Sequence, residues 1–200
     1  MEKPHGYEFL PGHATDLSIN KPGIEEETRP FTFTALTREP YLEFTIKRYA
    51  DRHGITDKLH QLVPGDEVII RDSWGAIDYK GPGHFIAGGA GITPFIAILR
   101  SLYAENKITG NKLFFSNKTA ADIIYKDELL KILGKDVVFI LTREKDAGHE
   151  YGRIDEAFIK THIKDFKKNF YVCGPDPMVF ELVETLQKTG AAMEALVFEK

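Results

Sequence analysis

Beyond residue 83 the sequence alternates between short buried-type runs and longer stretches with helical spacing, and no other feature restricts the fold as much. The runs at 84–87, 112–115, 137–142, 170–173 and 194–198 read as strands, and the stretches at 92–104, 122–133, 154–163 and 175–188 read as helices. Strand and helix in succession predict a parallel sheet covered on both faces, because a parallel connection needs a crossover long enough to hold a helix. Before residue 80 the pattern is different. Short alternating or β-branched runs at 14–19, 31–36, 42–49 and 67–71 are separated by Lys21-Pro22-Gly23, Arg38-Glu39-Pro40 and Pro64-Gly65-Asp66. These predict a small antiparallel barrel or sandwich. One helix interrupts it, with Ile55, Leu59 and Leu62 on one face and Thr56 available as a capping hydroxyl. Two domains follow, 1–80 and 81–200, joined through Tyr79-Lys80-Gly81-Pro82-Gly83.

Composition narrows the chemistry. A chain of 200 residues, 42% hydrophobic and 28% charged, can bury a sizeable core. Its net charge of -4, with basic residues interspersed among acids, gives no footprint for nucleic acid and no polybasic membrane patch. Cys173 is the single cysteine, which excludes an internal disulfide and a four-cysteine metal or iron–sulfur site. The seven histidines form no HExxH motif. There is no long apolar span, and the opening residues lack the apolar run of a signal peptide, so a cytoplasmic location is expected.

Gly88, Gly89 and Gly91 follow a buried strand and open a helix. Bare backbone N–H groups at a helix start can approach a pyrophosphate or a ribose closely, although such a cluster also serves as a tight structural turn. The usual dinucleotide fingerprint has a third glycine and an acid ending the next strand; this chain has Pro94 and Ser116-Asn117 instead. An ordinary Rossmann dehydrogenase is therefore not expected.

Three segments in order complete the picture: Arg29-Pro30-Phe31-Thr32, Gly89-Ala90-Gly91-Ile92-Thr93-Pro94 and Cys173-Gly174-Pro175-Asp176-Pro177-Met178. Together they resemble the ferredoxin–NADP reductase superfamily, whose flavodoxin reductase-like and cytochrome b5 reductase-like members carry an Arg-x-Tyr-Ser flavin motif, a Gly-Ala-Gly-Ile-Thr-Pro loop and a Cys-Gly-Pro-x-Pro-Met segment. The resemblance covers essentially the whole chain. It implies a flavin-binding antiparallel β-barrel followed by a nucleotide-binding parallel α/β domain. The family's usual start precedes the segment that appears here as Lys3-Pro4 and Phe9-Leu10-Pro11-Gly12-His13, so the resemblance leaves three alternatives: a barrel trimmed at its beginning, an edge supplied by a partner, or a sequence that starts late.

The resemblance also implies roles. Arg29 pairs with the flavin phosphate, or else forms a surface ion pair with the acids at 25–27. Phe31 stands in place of tyrosine and packs on the flavin ring, while Thr32 brings a hydroxyl to flavin N5 or is simply a strand threonine. Gly54, Ile55 and Thr56 resemble a second phosphate site, with Asp57 opposing it, and an ordinary capped helix is the alternative. Trp74 stacks on adenine or sits in the core or a hinge. FAD is expected, with FMN as the alternative. Thr93 contacts the nicotinamide or caps the helix ahead of Pro94. Cys173 lies near nicotinamide C4 rather than serving as inert packing, and Gly174 and Pro175 leave room for the cofactor. Phe198 covers the flavin ring or merely finishes the last strand.

Nucleotide preference turns on Asp122, which matches an acid facing the adenosine ribose in NADH-selective members; a carboxylate there accepts from the 2′-OH and repels a 2′-phosphate. Ser116, Lys118, Tyr125 and Lys126 oppose it, since together they would suit a phosphate, so a modest preference for NADH over NADPH is expected. The implied activity is hydride transfer from NAD(P)H to flavin and electron delivery to flavodoxin, ferredoxin or another redox protein. Two alternatives remain: an electron-transfer subunit of a larger enzyme, and a nucleotide-binding sensory module without catalytic flavin.

Overall fold

The computed structural model describes residues 1–49, 53–75 and 77–198. Its second half is built on β4 (Gly83–Gly88), every residue of which is buried. β4 pairs in parallel with β5 (Lys112–Asn117) on one side and β8 (Asn169–Cys173) on the other. β6 (Val137–Leu141) and the two-residue β7 (Glu150–Tyr151) continue beyond β5, and β9 (Leu196–Phe198) continues beyond β8. The sheet order is β7-β6-β5-β4-β8-β9, parallel throughout.

Alternate residues of the central strands feed two separate cores, as period-2 geometry requires of a sheet buried on both faces. Phe85, Ala87, Leu113, Phe115 and Tyr171 pack with Phe95 and Leu99 of α2 (Thr93–Ala104) and with Leu129 and Ile132 of α3 (Lys126–Leu133). Ile86, Phe114, Phe170 and Val172 face the other way. They meet Ile159 of α4 (Glu156–His162) and Val179, Leu182 and Leu186 of α5 (Asp176–Lys188). α4 starts where Asp155 accepts a hydrogen bond from the backbone N–H of Phe158 at 2.9 Å.

Two helix starts differ from the sequence expectation. The stretch at 92–104 begins with a 3₁₀ turn at Gly89–Ile92, and Ile92 caps α2, so Thr93 is its first residue rather than its cap. The stretch at 122–133 breaks into a 3₁₀ turn at Ala120–Asp122 and then α3, because Tyr125 takes a left-handed conformation with φ 54°. Thr119 caps the 3₁₀ turn and Asp122 closes its capping box.

The first half holds a three-stranded antiparallel sheet among the described residues, ordered β2-β1-β3 from β1 (Ala14–Ile19), β2 (Arg29–Thr32) and β3 (Val68–Ile70). Three regular strands are described there, without the closure of a barrel among the described residues. The strand expected at 31–36 ends at Thr32, and that expected at 42–49 forms no regular strand but an isolated bridge from Phe44 to Phe33. Rings substitute for the ladder: Phe9 stacks on Phe33 at 4.2 Å, and Phe44 lies 5.0 Å from Phe33. α1 (Ile55–Leu59) is capped by Gly54 without a side-chain bond, so the capping hydroxyl expected of Thr56 is not used.

The junction at 79–83 is fixed in place. The Tyr171 hydroxyl accepts from the backbone N–H of Lys80 at 2.9 Å and donates to the carbonyl of Gly81 at 2.7 Å, while Tyr79 stacks 5.8 Å from the Tyr171 ring.

Candidate active site

The strand order reverses at β4. The chain runs outward from β4 through β5, β6 and β7, then returns to place β8 on β4's other side. Open parallel sheets bind ligands outside the carboxyl ends of the strands at such a reversal. Here those ends are Gly88 on β4 and Cys173 on β8, with Ala87 registered directly against Cys173.

The two following turns pass backbone to backbone. A Cβ at Gly91 would sit 2.3 Å from the Cys173 carbonyl oxygen, and one at Gly88 would sit 2.4 Å from Met178 Sδ. Gly91 is required by the backbone of the other turn, while Gly88 makes room for the Met178 side chain. Gly89 differs: its φ is +53°, and nothing lies within 4 Å of where its Cβ would project. It faces open space.

That space is a cleft of about 590 Å³. Gly88, Gly89, Ala90, Gly91, Cys173, Gly174, Pro175 and Met178 line it from the two turns, and Ser116, Asn117, Lys118, Asp122 and Thr142 line it from the tips of β5 and β6. Lys47 and Tyr49 reach it from the first half of the chain. Thr93 is not among the lining residues; its hydroxyl donates to the Ala90 carbonyl at 3.0 Å.

The cleft has a mixed field. Asp122 Oδ2 accepts from the Thr119 hydroxyl at 2.8 Å and the Thr119 backbone N–H at 3.0 Å, and this bonding, helped by Lys47 and Lys118, holds its carboxyl below the usual aspartate range. One anion therefore sits between two cations. Of the four residues that would oppose it, Ser116 and Lys118 line the cleft while Tyr125 and Lys126 point elsewhere. The Tyr125 hydroxyl lies 2.9 Å from Thr45 Oγ1, and Lys126 Nζ lies 2.9 Å from His149 Nε2.

The flavin-type residues are grouped apart from this cleft, on β2. Arg29 and Pro30 are exposed, and Phe31 and Thr32 are half-buried. Arg29 donates to the Thr28 carbonyl at 2.7 Å. The neighbouring acids are engaged by others, Glu27 by Lys58 at 2.7 Å and Glu26 by Arg71 at 3.9 Å. At the start of α1, Asp57 accepts from Arg48 at 2.8 Å, so an ion pair occupies the turn that holds Ile55 and Thr56. Trp74 is 40% exposed and bridges Ala14 through its backbone. Phe198 pairs with Val172 and packs half-buried against the core beneath α4 and α5, outside the cleft lining.

Sequence reasoning missed Lys47, Tyr49 and Met178 as lining residues. The first two were visible only as alternation in Thr45-Ile46-Lys47-Arg48-Tyr49, which would put Thr45, Lys47 and Tyr49 on one side of an extended segment. Among the described residues no cluster of His, Cys, Asp and Glu suits a metal ion, and no helix is long and apolar enough to cross a membrane.

Residues 85–183 match the family described as the oxidoreductase NAD-binding domain. The chain is 29% identical over 215 residues to the reductase component of propane 2-monooxygenase from Rhodococcus jostii, covering 99% of this chain and 57% of that protein. It is 29% identical over 170 residues to NADH-cytochrome b5 reductase 2 of Mycosarcoma maydis, covering 76% of this chain and 47% of the relative. Its fold matches that of the flavohem-like FAD/NAD binding domain of nitric oxide dioxygenase from Vibrio cholerae with a TM-score of 0.83, at 18% identity, over 96% of this chain and 85% of the other. The chain thus spans little more than half the length of the curated relatives it matches.

Proposed function

We propose that this chain, whose residues 85–183 match the oxidoreductase NAD-binding domain, is a flavin-dependent NAD(P)H oxidoreductase of the ferredoxin–NADP reductase superfamily that passes electrons to a partner redox protein. The observation that carries the reading is the open cradle at Gly89, formed where the glycine turn and the Cys173 turn meet at the reversal of the sheet. Backbone N–H groups there suit the phosphates or ribose of a dinucleotide, and Lys47 and Lys118 supply cations for its negative charge. Gly174 and Pro175 keep the Cys173 side of the cleft free of bulk, so a nicotinamide ring can lie beside the thiol. Asp122, held ionised by Thr119, accepts from a ribose 2′-OH and disfavours a 2′-phosphate, which makes NADH the preferred donor.

FAD, or FMN in its place, fits the β2 side. Arg29 is exposed and engages no acid in the structure, so its planar fork is available to a phosphate; Phe31 offers an apolar face and Thr32 a hydroxyl. When bound, flavin supplies an acceptor for a hydride and a donor of single electrons. The chain's own residues orient the donor ring, hold the phosphates and present a hydroxyl and a thiol to the reacting region. The reductase-component name of the Rhodococcus relative supports a partner protein as acceptor, of the flavodoxin, ferredoxin or monooxygenase-component kind.

The test is an absorbance spectrum of the purified protein, followed by anaerobic addition of NADH or NADPH. A yellow protein that bleaches supports the reading. A colourless protein that still binds nucleotide overturns it in favour of a sensory module.

A further inference from the structure

Tyr125 occupies a conformation that ordinary residues avoid. Its φ of 54° and ψ of 25° are left-handed, a region that disfavours a residue with a Cβ and that glycine or asparagine would enter more easily. A bulky residue persists there when its side chain is held from several directions. Two groups hold it. The Tyr125 hydroxyl lies 2.9 Å from Thr45 Oγ1, and the Arg100 guanidinium sits 5.0 Å from the ring centroid. Arg100 is itself fixed: it donates to both carboxylate oxygens of Glu128 at 2.6 and 2.9 Å, to Glu43 Oε1 at 2.6 Å and to the Thr34 carbonyl at 2.6 Å. The circuit closes within the first half, where Thr45 donates to Thr34 Oγ1 at 3.2 Å and Thr34 donates to Glu43 Oε1 at 2.8 Å.

The placement gives this network a function beyond joining two halves. Thr45 stands two residues before Lys47 and four before Tyr49 in one short segment, and both of these line the cleft. Tyr125 lies just beyond the turn that presents Asp122, which lines the same cleft. Lys47 already acts on the Asp122 carboxylate, so the separation of these walls is felt electrostatically. We infer that Tyr125 is a positioning residue for the nucleotide cleft: its hydroxyl, bonded to Thr45, locks the segment bearing Lys47 and Tyr49 to the turn bearing Asp122. The cleft then meets its ligand at a preset width, and the ordering cost of bringing two domains together is met before binding. A tyrosine suits the task because the ring gives Arg100 a face while the hydroxyl reaches across the domain boundary.

This inference rests on the nucleotide-binding reading of the cleft, and the experiment separates the two. Titrations of NAD⁺ into the purified full chain are compared for wild type, Tyr125→Phe, Thr45→Val and the double variant, with flavin content and thermal melting measured alongside. Phenylalanine keeps the ring under Arg100 and removes only the bond to Thr45, whereas valine keeps the shape of threonine but removes that bond together with the one Thr45 donates to Thr34. Each single variant is expected to weaken NAD⁺ binding about threefold to tenfold, the loss set by the hydrogen bond that both lack. The double variant should be no weaker than Thr45→Val alone, with flavin content and melting unchanged. Wild-type affinity in all three variants overturns the positioning role, as do additive losses or losses that track melting and flavin content. A wild-type chain that binds no NAD⁺ overturns the nucleotide reading itself, and the inference with it.

Discussion

The carbonyl oxygen of Cys173 occupies the place that a side chain at residue 91 would need, 2.3 Å from an ideal Cβ on Gly91. Backbone cannot yield there as the tip of a flexible side chain would. Gly91→Ala should therefore force β4's turn away from β8's, destabilising the protein by about 1 to 3 kcal/mol, as overpacking does. Nucleotide binding should fall with it. Gly89→Ala meets no neighbour and should cost only the strain of its positive φ, about 1 kcal/mol. Chemical denaturation of both variants checks the order; equal losses would remove the two-turn contact as the reason for Gly91.

Among the described residues the Arg29 side chain makes one hydrogen bond, to the Thr28 carbonyl, and the residue is exposed. Arg29→Ala should leave the melting temperature of the flavin-free protein unchanged. Its flavin affinity should fall by about 1 to 3 kcal/mol, or about 5- to 150-fold. Equilibrium dialysis with FAD and FMN measures this directly, and unchanged affinity for both would exclude Arg29 from phosphate binding.

Cys173 ends β8 half-buried, partly packed against the core and partly lining the cleft. Cys173→Ala should slow anaerobic reduction of the flavin while leaving the affinity for NAD⁺ nearly as in the wild type. Stopped-flow traces indistinguishable from wild type would show that the thiol is only packing.

Asp122 has two tasks that a single alanine substitution would confuse, since it also closes the turn with Thr119. Asp122→Asn retains an acceptor for Thr119 and removes the charge. It should raise kcat/KM for NADPH relative to NADH, while Lys118→Ala should change NADH little. Strong NADPH selectivity in the wild type, lost in Lys118→Ala, would reverse the assignment.

His84 supplies an acid-sensitive element far from the cleft. It sits at the opposite end of β4, with its ring centroid 6.1 Å from Phe114 and 5.3 Å from Phe170. Burial, with Lys168 and Lys112 adding to it, pushes its pKa down to about 4. The unfolded chain takes up this proton near pH 6.5 whereas the folded one resists it, so the stability contribution is full above about pH 6.5 and is lost as pH falls towards 4. The slope from this group should be about 1 kcal/mol per pH unit within that window. Denaturation midpoints of wild type and His84→Phe across pH 7.5 to 4.5 should diverge, the variant being flatter.

The α/β half was legible because its physics is local. Phe85 and Ile86 are adjacent and face different cores, so a continuous apolar run correctly signalled a strand buried on both sides. The glycine and Cys-Gly-Pro segments were recognised from residue type, and the sheet order then brought them together. What sequence could not show was dictated by non-local contact. Tyr125 breaks an apparently continuous helix because Thr45 and Arg100 hold it. Residues 42–49 carry a strand-like pattern yet pair mainly through the Phe33–Phe44 bridge and its rings. Lys47 and Tyr49 enter the cleft only once that segment is laid against the second half.

The adjacency of β4 and β8 also sets when the cleft can exist. Five strands, β4 to β8, must be laid down before Cys173 can register against Ala87. Closing so long a loop is entropically slow compared with forming the β4–α2–β5 unit on its own. During synthesis or refolding, a stage with most of its helices and strands in place would still lack half of the cradle. Ligand capture would then mark the final step of assembly, and nucleotide would stabilise only chains that had completed it.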